Sequence, residues 1–90
     1  MFELEISKVY LLATIRMFVV GVVKSVTIAE AHVKPVVYVR DLGQFDTFFN
    51  TLRIQRYQKM PEWYVACQSL QGRSGVLDPK VMELNSAEGT

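Results

Sequence analysis

The clearest change of pattern in this chain lies between the segment 33–42 and the segment 43–54. In the first, apolar side chains recur at every second position, which is typical of a β-strand with one buried face. In the second, they recur at helical spacing, and Asp41 and Gly43 between the two segments are typical of a turn. The pattern predicts a strand leading directly into an amphipathic helix whose apolar stripe is Phe45, Phe48, Phe49 and Leu52.

The two faces of this strand have different character. The apolar face carries Val33, Val37 and Val39, and we expect the helix to pack on it. The opposite face is left for water, a partner or a ligand, and it consists of His32, Lys34, Val36, Tyr38 and Arg40. A candidate binding surface is therefore predicted on the face of the strand opposite the face that the helix covers.

The N-terminal third is also apolar, and its pattern leaves alternatives open. Residues 8–23 alternate and are rich in β-branched side chains, which favours strands with one buried face over a buried helix. Gly21 suggests a bulge or a bend. Thr27 and Glu30 match a capping box, so residues 28–33 are predicted either as a short helix or as part of a strand over 24–33.

After the helix, the pattern returns to short extended runs. Two of them, residues 54–58 and 63–70, flank a segment that contains Pro61, which predicts a hairpin. Residues 71–75 are typical of a turn, with a brief strand over 74–77. Asp78 followed by Pro79 predicts a helix start. We expect residues 85–90 to be a frayed tail.

Composition narrows the class of protein. The chain has 90 residues, enough for a single domain, 1–90, and its net charge of +1 gives no electrostatic case for nucleic acid. The apolar run from Val9 to Val23 contains Arg16 and is shorter than the roughly 20 residues that cross a bilayer, so a buried element is favoured over a membrane span. With Cys67 as its one cysteine, the chain has no internal disulfide, and a cytoplasmic location is expected.

The run Lys34-Pro-Val-Val-Tyr-Val-Arg-Asp-Leu42 resembles the first strand of proteins in the vicinal oxygen chelate superfamily. In that superfamily, the first strand ends in Val-x-Asp-Leu. Residues 45–52 resemble the helix that follows, and residues 63–66 and 72–78 resemble the third and fourth strands. The superfamily includes glyoxalase I, bleomycin-resistance proteins, fosfomycin-resistance enzymes and extradiol dioxygenases. The resemblance implies an α+β fold: a βαβββ module over 33–80 with a curved mixed sheet and one helix, a β-rich extension over 1–32 and a tail over 81–90.

Two departures from the family pattern shape the functional expectation. Members usually pair two modules around a ligand, so we expect a homodimer to complete the cupped sheet, or residues 1–32 to act as a makeshift partner. Metal-dependent members place a His where this chain has Lys34, and a protonated Lys is not a ligand. His32 lies two residues earlier and is the one histidine, so a shifted metal ligand is the less favoured alternative.

The resemblance thus implies a small-molecule-binding protein of the bleomycin-resistance or glyoxalase-like type, related to antibiotic resistance and without a cofactor. Alternatives are a lyase or transferase that uses a divalent metal, and a non-catalytic structural or interaction module. No catalytic residue and no metal ligand is assigned, and Trp63 is expected in the core or a dimer interface. The competing interpretation of His32 is an ordinary exposed strand position. The predicted ligand-binding residues are His32, Lys34, Tyr38, Tyr64 and Gln68.

Overall fold

The computed structural model describes residues 3–85, which form an α+β fold with a six-stranded sheet and two helices. The elements in chain order are β1 (Val9–Thr14), β2 (Phe18–Val26), β3 (Glu30–Asp41), α1 (Phe45–Thr51), β4 (Arg56–Met60), β5 (Trp63–Ala66), a 3-10 turn (Cys67–Ser69), β6 (Leu70–Arg73) and α2 (Lys80–Leu84). The α+β class and the strand, turn and helix around Asp41 are confirmed.

Every strand pair in this part of the chain is antiparallel, in the order β4-β3-β2-β1-β6, with β5 also on β3. The prediction of a mixed sheet was therefore wrong. Short turns join β1 to β2 and β2 to β3, and a short connection can only return the chain as an antiparallel neighbour. The N-terminal strands are confirmed as well, but they form the middle of the sheet rather than an extension beside it.

The predicted hairpin between residues 54–58 and 63–70 is absent from the described fold, because β4 and β5 both pair with the same edge of β3. Val36 lies opposite Met60, and Val33 lies opposite Trp63, so the two strands keep one register across the break. Pro61 faces this break from one side and Pro35 from the other, and neither has an N–H to donate to the ladder. β4 and β5 therefore act as one strand with an interruption.

The sheet curls so that its two edges approach each other without pairing in residues 3–85. β5 pairs with β3 at one edge, β6 pairs with β1 at the other, and only the 3-10 turn separates β5 from β6 along the chain. At this junction the N–H of Ile15 donates to the carbonyl of Ser69 at 3.1 Å. The result is a barrel-like sheet with an inside and an outside.

The core has two parts, one on each side of the curled sheet. The inner cluster fills the inside and consists of Tyr10, Leu12, Val19, Val23, Val33, Val36, Val65 and Leu70. The helix-side cluster lies under the helices and includes Val9, Leu11, Val20, Val37, Val39, Phe48, Tyr57 and Val81. Strand β1 contributes alternate residues to both, so both of its faces are buried, where the sequence predicted one.

Helix α1 is anchored by one residue of its predicted stripe. Phe48 is fully buried in the helix-side cluster, whereas Phe45 and Phe49 remain 52% and 45% exposed. The turn before the helix forms as expected: Gly43 has a φ of 78°, and its N–H donates to the Asp41 carboxylate at 2.9 Å. The stripe is therefore broader than the buried face of this short helix.

Helix α2 closes the helix-side cluster, and its start after Asp78 and Pro79 is confirmed. Asn85 is buried there, although it was predicted to belong to a frayed tail. Its Oδ1 accepts a hydrogen bond from the N–H of Ile54 at 2.9 Å, and its Nδ2 donates to the carbonyl of Leu52 at 2.8 Å. These bonds tie α2 to the α1–β4 connection; the rest of the predicted tail lies outside the described residues.

The turn between β2 and β3 settles the choice left open for residues 28–33. The Thr27 hydroxyl accepts hydrogen bonds from the N–H groups of Ala29 and Glu30 at 3.2 and 3.1 Å. This resembles the start of a capping box, but the chain enters β3 at Glu30 instead of a helix. The predicted helix is therefore wrong, and the strand alternative is right only in part, because a turn at residues 27–29 divides the predicted strand into the end of β2 and the start of β3.

Candidate functional site

The structure divides the predicted ligand-binding residues between two sides of the sheet. The break at Lys34 and Pro35 shifts the alternation of β3, so Val33 and Val36 both point to the inner cluster. Tyr38 is opposite Val19 in the ladder and shares its side. His32 has the opposite parity to Val33 and lies on the outside.

Among the predicted residues, His32 and Tyr64 come together directly. They are opposite each other on β3 and β5, and their rings stack with centroids 4.4 Å apart and an interplanar angle of 5°. Lys34 is near enough to lower the pKa of Glu62 electrostatically. Gln68 is exposed in the 3-10 turn, and Tyr38 instead contacts Trp63, with ring centroids 6.0 Å apart.

Glu62 joins the His32–Tyr64 pair into a three-residue cluster on the outer face. His32 Nε2 lies 2.7 Å from Glu62 Oε1. This hydrogen bond is the main cause that lowers the pKa of the Glu62 carboxyl below its usual value. The negative charge of Glu62 in turn raises the pKa of the Tyr64 hydroxyl above its usual value. The cluster fixes the Tyr64 ring against the sheet.

We expect His32→Ala to raise the pKa of Glu62 toward the ordinary value of about 4.3, because the hydrogen bond from the imidazole is lost. The folded-state pKa of Glu62 lies below its unfolded value, so folding favours the ionised carboxylate. The contribution of Glu62 to stability is thus present above about pH 4.3 and is lost as the pH falls through the folded value. Carboxyl 13C NMR titration measures the change.

Lys34→Ala is the matched control for this titration, since Lys34 is the weakest of the groups acting on Glu62. It should shift the pKa of Glu62 less than His32→Ala does. An unchanged Glu62 titration in His32→Ala would show that the bond to His32 does not set this pKa.

A groove of about 410 Å³ lies beside this cluster, and we call it the edge groove. Its lining is two runs of consecutive residues, 14–17 and 63–66, together with Ser69. A groove on the face of a sheet would be lined by alternate residues, so consecutive lining places it along a strand edge. It therefore separates the outer edge of β5 from the β1–β2 turn.

The walls of the edge groove are mainly apolar and aromatic. Ile15 is 65% exposed, Tyr64 is 55% exposed, and Trp63 and Met17 are half-buried against the inner cluster. On the β5 side, the strand pairs with β3 through one edge only, so its outer backbone groups face the groove. The groove thus combines apolar surface with backbone donors and acceptors, which suits a small organic ligand.

Internal hydrogen bonds hold both rims of the edge groove. In the β1–β2 turn, the Thr14 hydroxyl donates to the carbonyl of Met17 at 3.0 Å and accepts from the N–H of Met17 at 3.1 Å. On the other rim, the Ser69 hydroxyl donates to the carbonyl of Ala66 at 2.8 Å. A pre-formed site loses less conformational entropy on binding than one that must be ordered by its ligand.

A second apolar feature lies on the outside of the sheet. Phe45 packs edge-on against Phe18, with centroids 5.8 Å apart, and Phe49 lies on the same helix. The concavity beside them measures about 220 Å³, below the usual size of a ligand pocket. A third concavity, of about 450 Å³ beside α1, is lined mainly by polar residues. The edge groove has more apolar and aromatic residues in its lining, and this makes it the stronger candidate site.

Of the predicted ligand-binding residues, the structure places Tyr64 in the edge groove. Sequence reasoning missed Ile15, Arg16 and Met17, and it assigned Trp63 to the core or an interface. No turn signal marks the β1–β2 region in the sequence, because the apolar alternation continues through Ala13, Ile15 and Met17. The β1–β2 turn and β5 are distant in the chain, so the local hydrophobic pattern cannot predict that they come together.

Within residues 3–85, no three His, Cys, Asp or Glu side chains are grouped as a metal ion would require. Neither helix in the same range has the length and apolar character of a membrane span. No family model, curated protein or solved structure matches the chain. The resemblance to the vicinal oxygen chelate superfamily accordingly stays a prediction from the sequence.

Proposed function

We propose that this chain is a non-catalytic binding protein that holds a small molecule with an apolar or aromatic body in the edge groove. The observation that carries the proposal is the groove itself, whose volume of about 410 Å³ falls in the range of ligand pockets, roughly 300–1,000 Å³. Its aromatic and aliphatic walls would supply most of the binding energy, and the outer backbone groups of β5 would orient the ligand.

This proposal keeps the expected class of function but moves the site. The sequence predicted a ligand cleft on one face of β3, within a cupped sheet completed by a second copy. In the folded chain, Tyr10, Leu12 and Val19 from β1 and β2 occupy the inside of the sheet. A ligand therefore has room at the strand edge and not between sheet faces. One chain forms the edge groove, so binding there does not require the homodimer, which stays a prediction.

The test is a ligand screen read by the single Trp of the chain, Trp63, which lines the groove. Small aromatic compounds should change Trp63 fluorescence and shift the NMR signals of residues 14–17 and 63–66. Ile15→Gln should weaken a confirmed ligand by about tenfold, because it removes apolar surface that the ligand would cover. Ile15 is 65% exposed, so the substitution leaves the core intact.

Ile28→Gln is the matched control, since Ile28 is 85% exposed in the β2–β3 turn and does not line the groove. It should leave ligand affinity unchanged. Equal effects of the two substitutions, or no shifts at the groove with any compound, would contradict the proposal.

The outer edge of β5 favours one further candidate, an interaction module that accepts an extended peptide as an added strand. The observation behind it is that, within residues 3–85, β5 pairs with β3 alone. Hydrogen exchange separates the two functions. An added strand would protect the outward N–H groups of β5, whereas a small molecule would shift the Trp63 and Ile15 side-chain signals without protecting a row of amides.

A further inference from the structure

The edge groove has one charged residue in its lining, and that residue is basic. Its nine lining residues are apolar, aromatic or hydroxyl-bearing except for Arg16, and none is acidic. Arg16 is therefore the one formally charged group in the lining that a ligand can contact.

The guanidinium group of Arg16 is available to a ligand. No hydrogen bond, ion pair or ring contact within residues 3–85 engages it. Its backbone is held in the β1–β2 turn, where the N–H of Arg16 donates to the Thr14 hydroxyl at 3.4 Å. The side chain of Arg16 is exposed, so packing in the core does not explain why this residue is an arginine.

On the β5 side of the groove, the acidic residue nearest in sequence already has a hydrogen-bond partner outside the groove. Glu62 precedes Trp63, and its carboxylate pairs with His32 at 2.7 Å on the outer face of the sheet. Tyr64 stacks on the same His32. The Glu62 carboxylate thus has a hydrogen-bond partner outside the groove, whereas no hydrogen bond, ion pair or ring contact engages the Arg16 guanidinium within residues 3–85.

From this arrangement we propose that the edge groove selects ligands that carry a carboxylate on a planar apolar body. The carboxylate would pair with the Arg16 guanidinium, and the ring would lie against Trp63. An arginine offers two parallel N–H donors that match a carboxylate, and it can balance a single negative charge. A phosphate monoester carries more charge than one arginine neutralises, so the carboxylate is the better fit. This inference rests on the proposed function of the same groove.

The experiment compares 1-naphthoate with 1-naphthamide, which has the same ring and no charge. Dissociation constants are measured by NMR titration for the wild-type protein, Arg16→Gln and Arg53→Gln. Arg53 is an exposed arginine that lines a different concavity, so its substitution is the matched control. Wild type should bind the carboxylate about tenfold more tightly than the amide, as expected for a charge-assisted pair.

Arg16→Gln should abolish this preference, while Arg53→Gln should retain it. The preference should also shrink at high salt, because the pair is solvent-exposed. If both compounds bind equally, or if the preference survives in Arg16→Gln, the carboxylate inference is overturned and the proposed function stands. If neither compound binds, both fail.

Discussion

Phe48→Ala should lower the free energy of unfolding by about 3–5 kcal/mol, the usual cost of removing a buried phenyl ring. Phe48 has no exposed surface and is the one residue of α1 that is fully buried in the helix-side cluster. The cavity would open between α1 and the sheet residues Val37 and Val39. A 90-residue domain is stable by roughly 5–13 kcal/mol, so the variant would lose a large part of its stability.

Urea unfolding, followed by far-UV circular dichroism, measures this loss, and Phe49→Ala is the matched control. Phe49 is the neighbouring residue on the same helix, yet it is 45% exposed and packs mainly on the rings of Phe45 and Phe48. Its substitution should cost clearly less, about 1 kcal/mol. If the two variants lose equal stability, α1 is not anchored through Phe48 as the structure shows.

The contrast between these two phenylalanines also marks what the sequence could predict. Helical spacing correctly identified α1 and its apolar side. Spacing alone cannot show how much of that side is covered, because coverage depends on partners elsewhere in the chain. Here the helix has seven residues, and the sheet beneath it reaches Phe48 but leaves Phe45 and Phe49 largely open.

Strand β3 shows the same limit for the binding surface. Alternation predicted that Val33, Val37 and Val39 share one face, and Val37 and Val39 do so in the helix-side cluster. The break at Lys34 and Pro35 then moves Val33 to the inner cluster. A shift of one residue exchanges the two faces of a strand. This one irregularity therefore places the predicted site residues of β3 on different sides of the sheet.

The edge groove could not be predicted from pattern, because its two sides come from segments far apart in the chain, residues 14–17 and 63–66. Alternation alone runs through Ile15 and Arg16 without marking the β1–β2 turn, and apolar content places Trp63 in a strand. Only the long-range pairing of β5 with β3 and of β6 with β1 brings them together. Pairing of this kind is decided by the packing of the inner cluster, whose members come from five strands.

Filling of the sheet interior changes how the chain can bind a ligand. A half-open module would offer its concave face and would need a second copy to enclose a molecule. This chain encloses its own interior, because β1 and β2 supply Tyr10, Leu12, Val19 and Val23 to it. The edge groove, between the β1–β2 turn and β5, lies at the rim of this filled interior, and both proposals for function use it.

The close approach of β2 to β3 gives the second large prediction: Gly21→Ala should destabilise the fold by about 3 kcal/mol, at the upper end for overpacking. A Cβ at this position would lie 2.5 Å from the carbonyl oxygen of Pro35 and 3.1 Å from the Cα of Val36. Both obstacles are backbone atoms of β3, so no side-chain rotation relieves the contact, and the two strands must separate next to the bulge that follows Gly21.

Gly72→Ala is the control for this prediction, since Gly72 is also a strand glycine but has nothing within 4 Å of an added Cβ. Alanine there should be neutral or slightly stabilising, because it restricts the unfolded chain without a clash. The urea midpoints of both variants measure the change in stability. The slope of the free energy of unfolding against urea concentration is compared as well, because a changed slope would reveal altered cooperativity. A Gly21→Ala protein as stable as Gly72→Ala would mean that β2 and β3 are not packed as closely as the structure indicates. It would also weaken the argument that the sheet interior is closed, because that closure depends on the β2–β3 ladder, the pairing that joins the N-terminal strands to the rest of the fold.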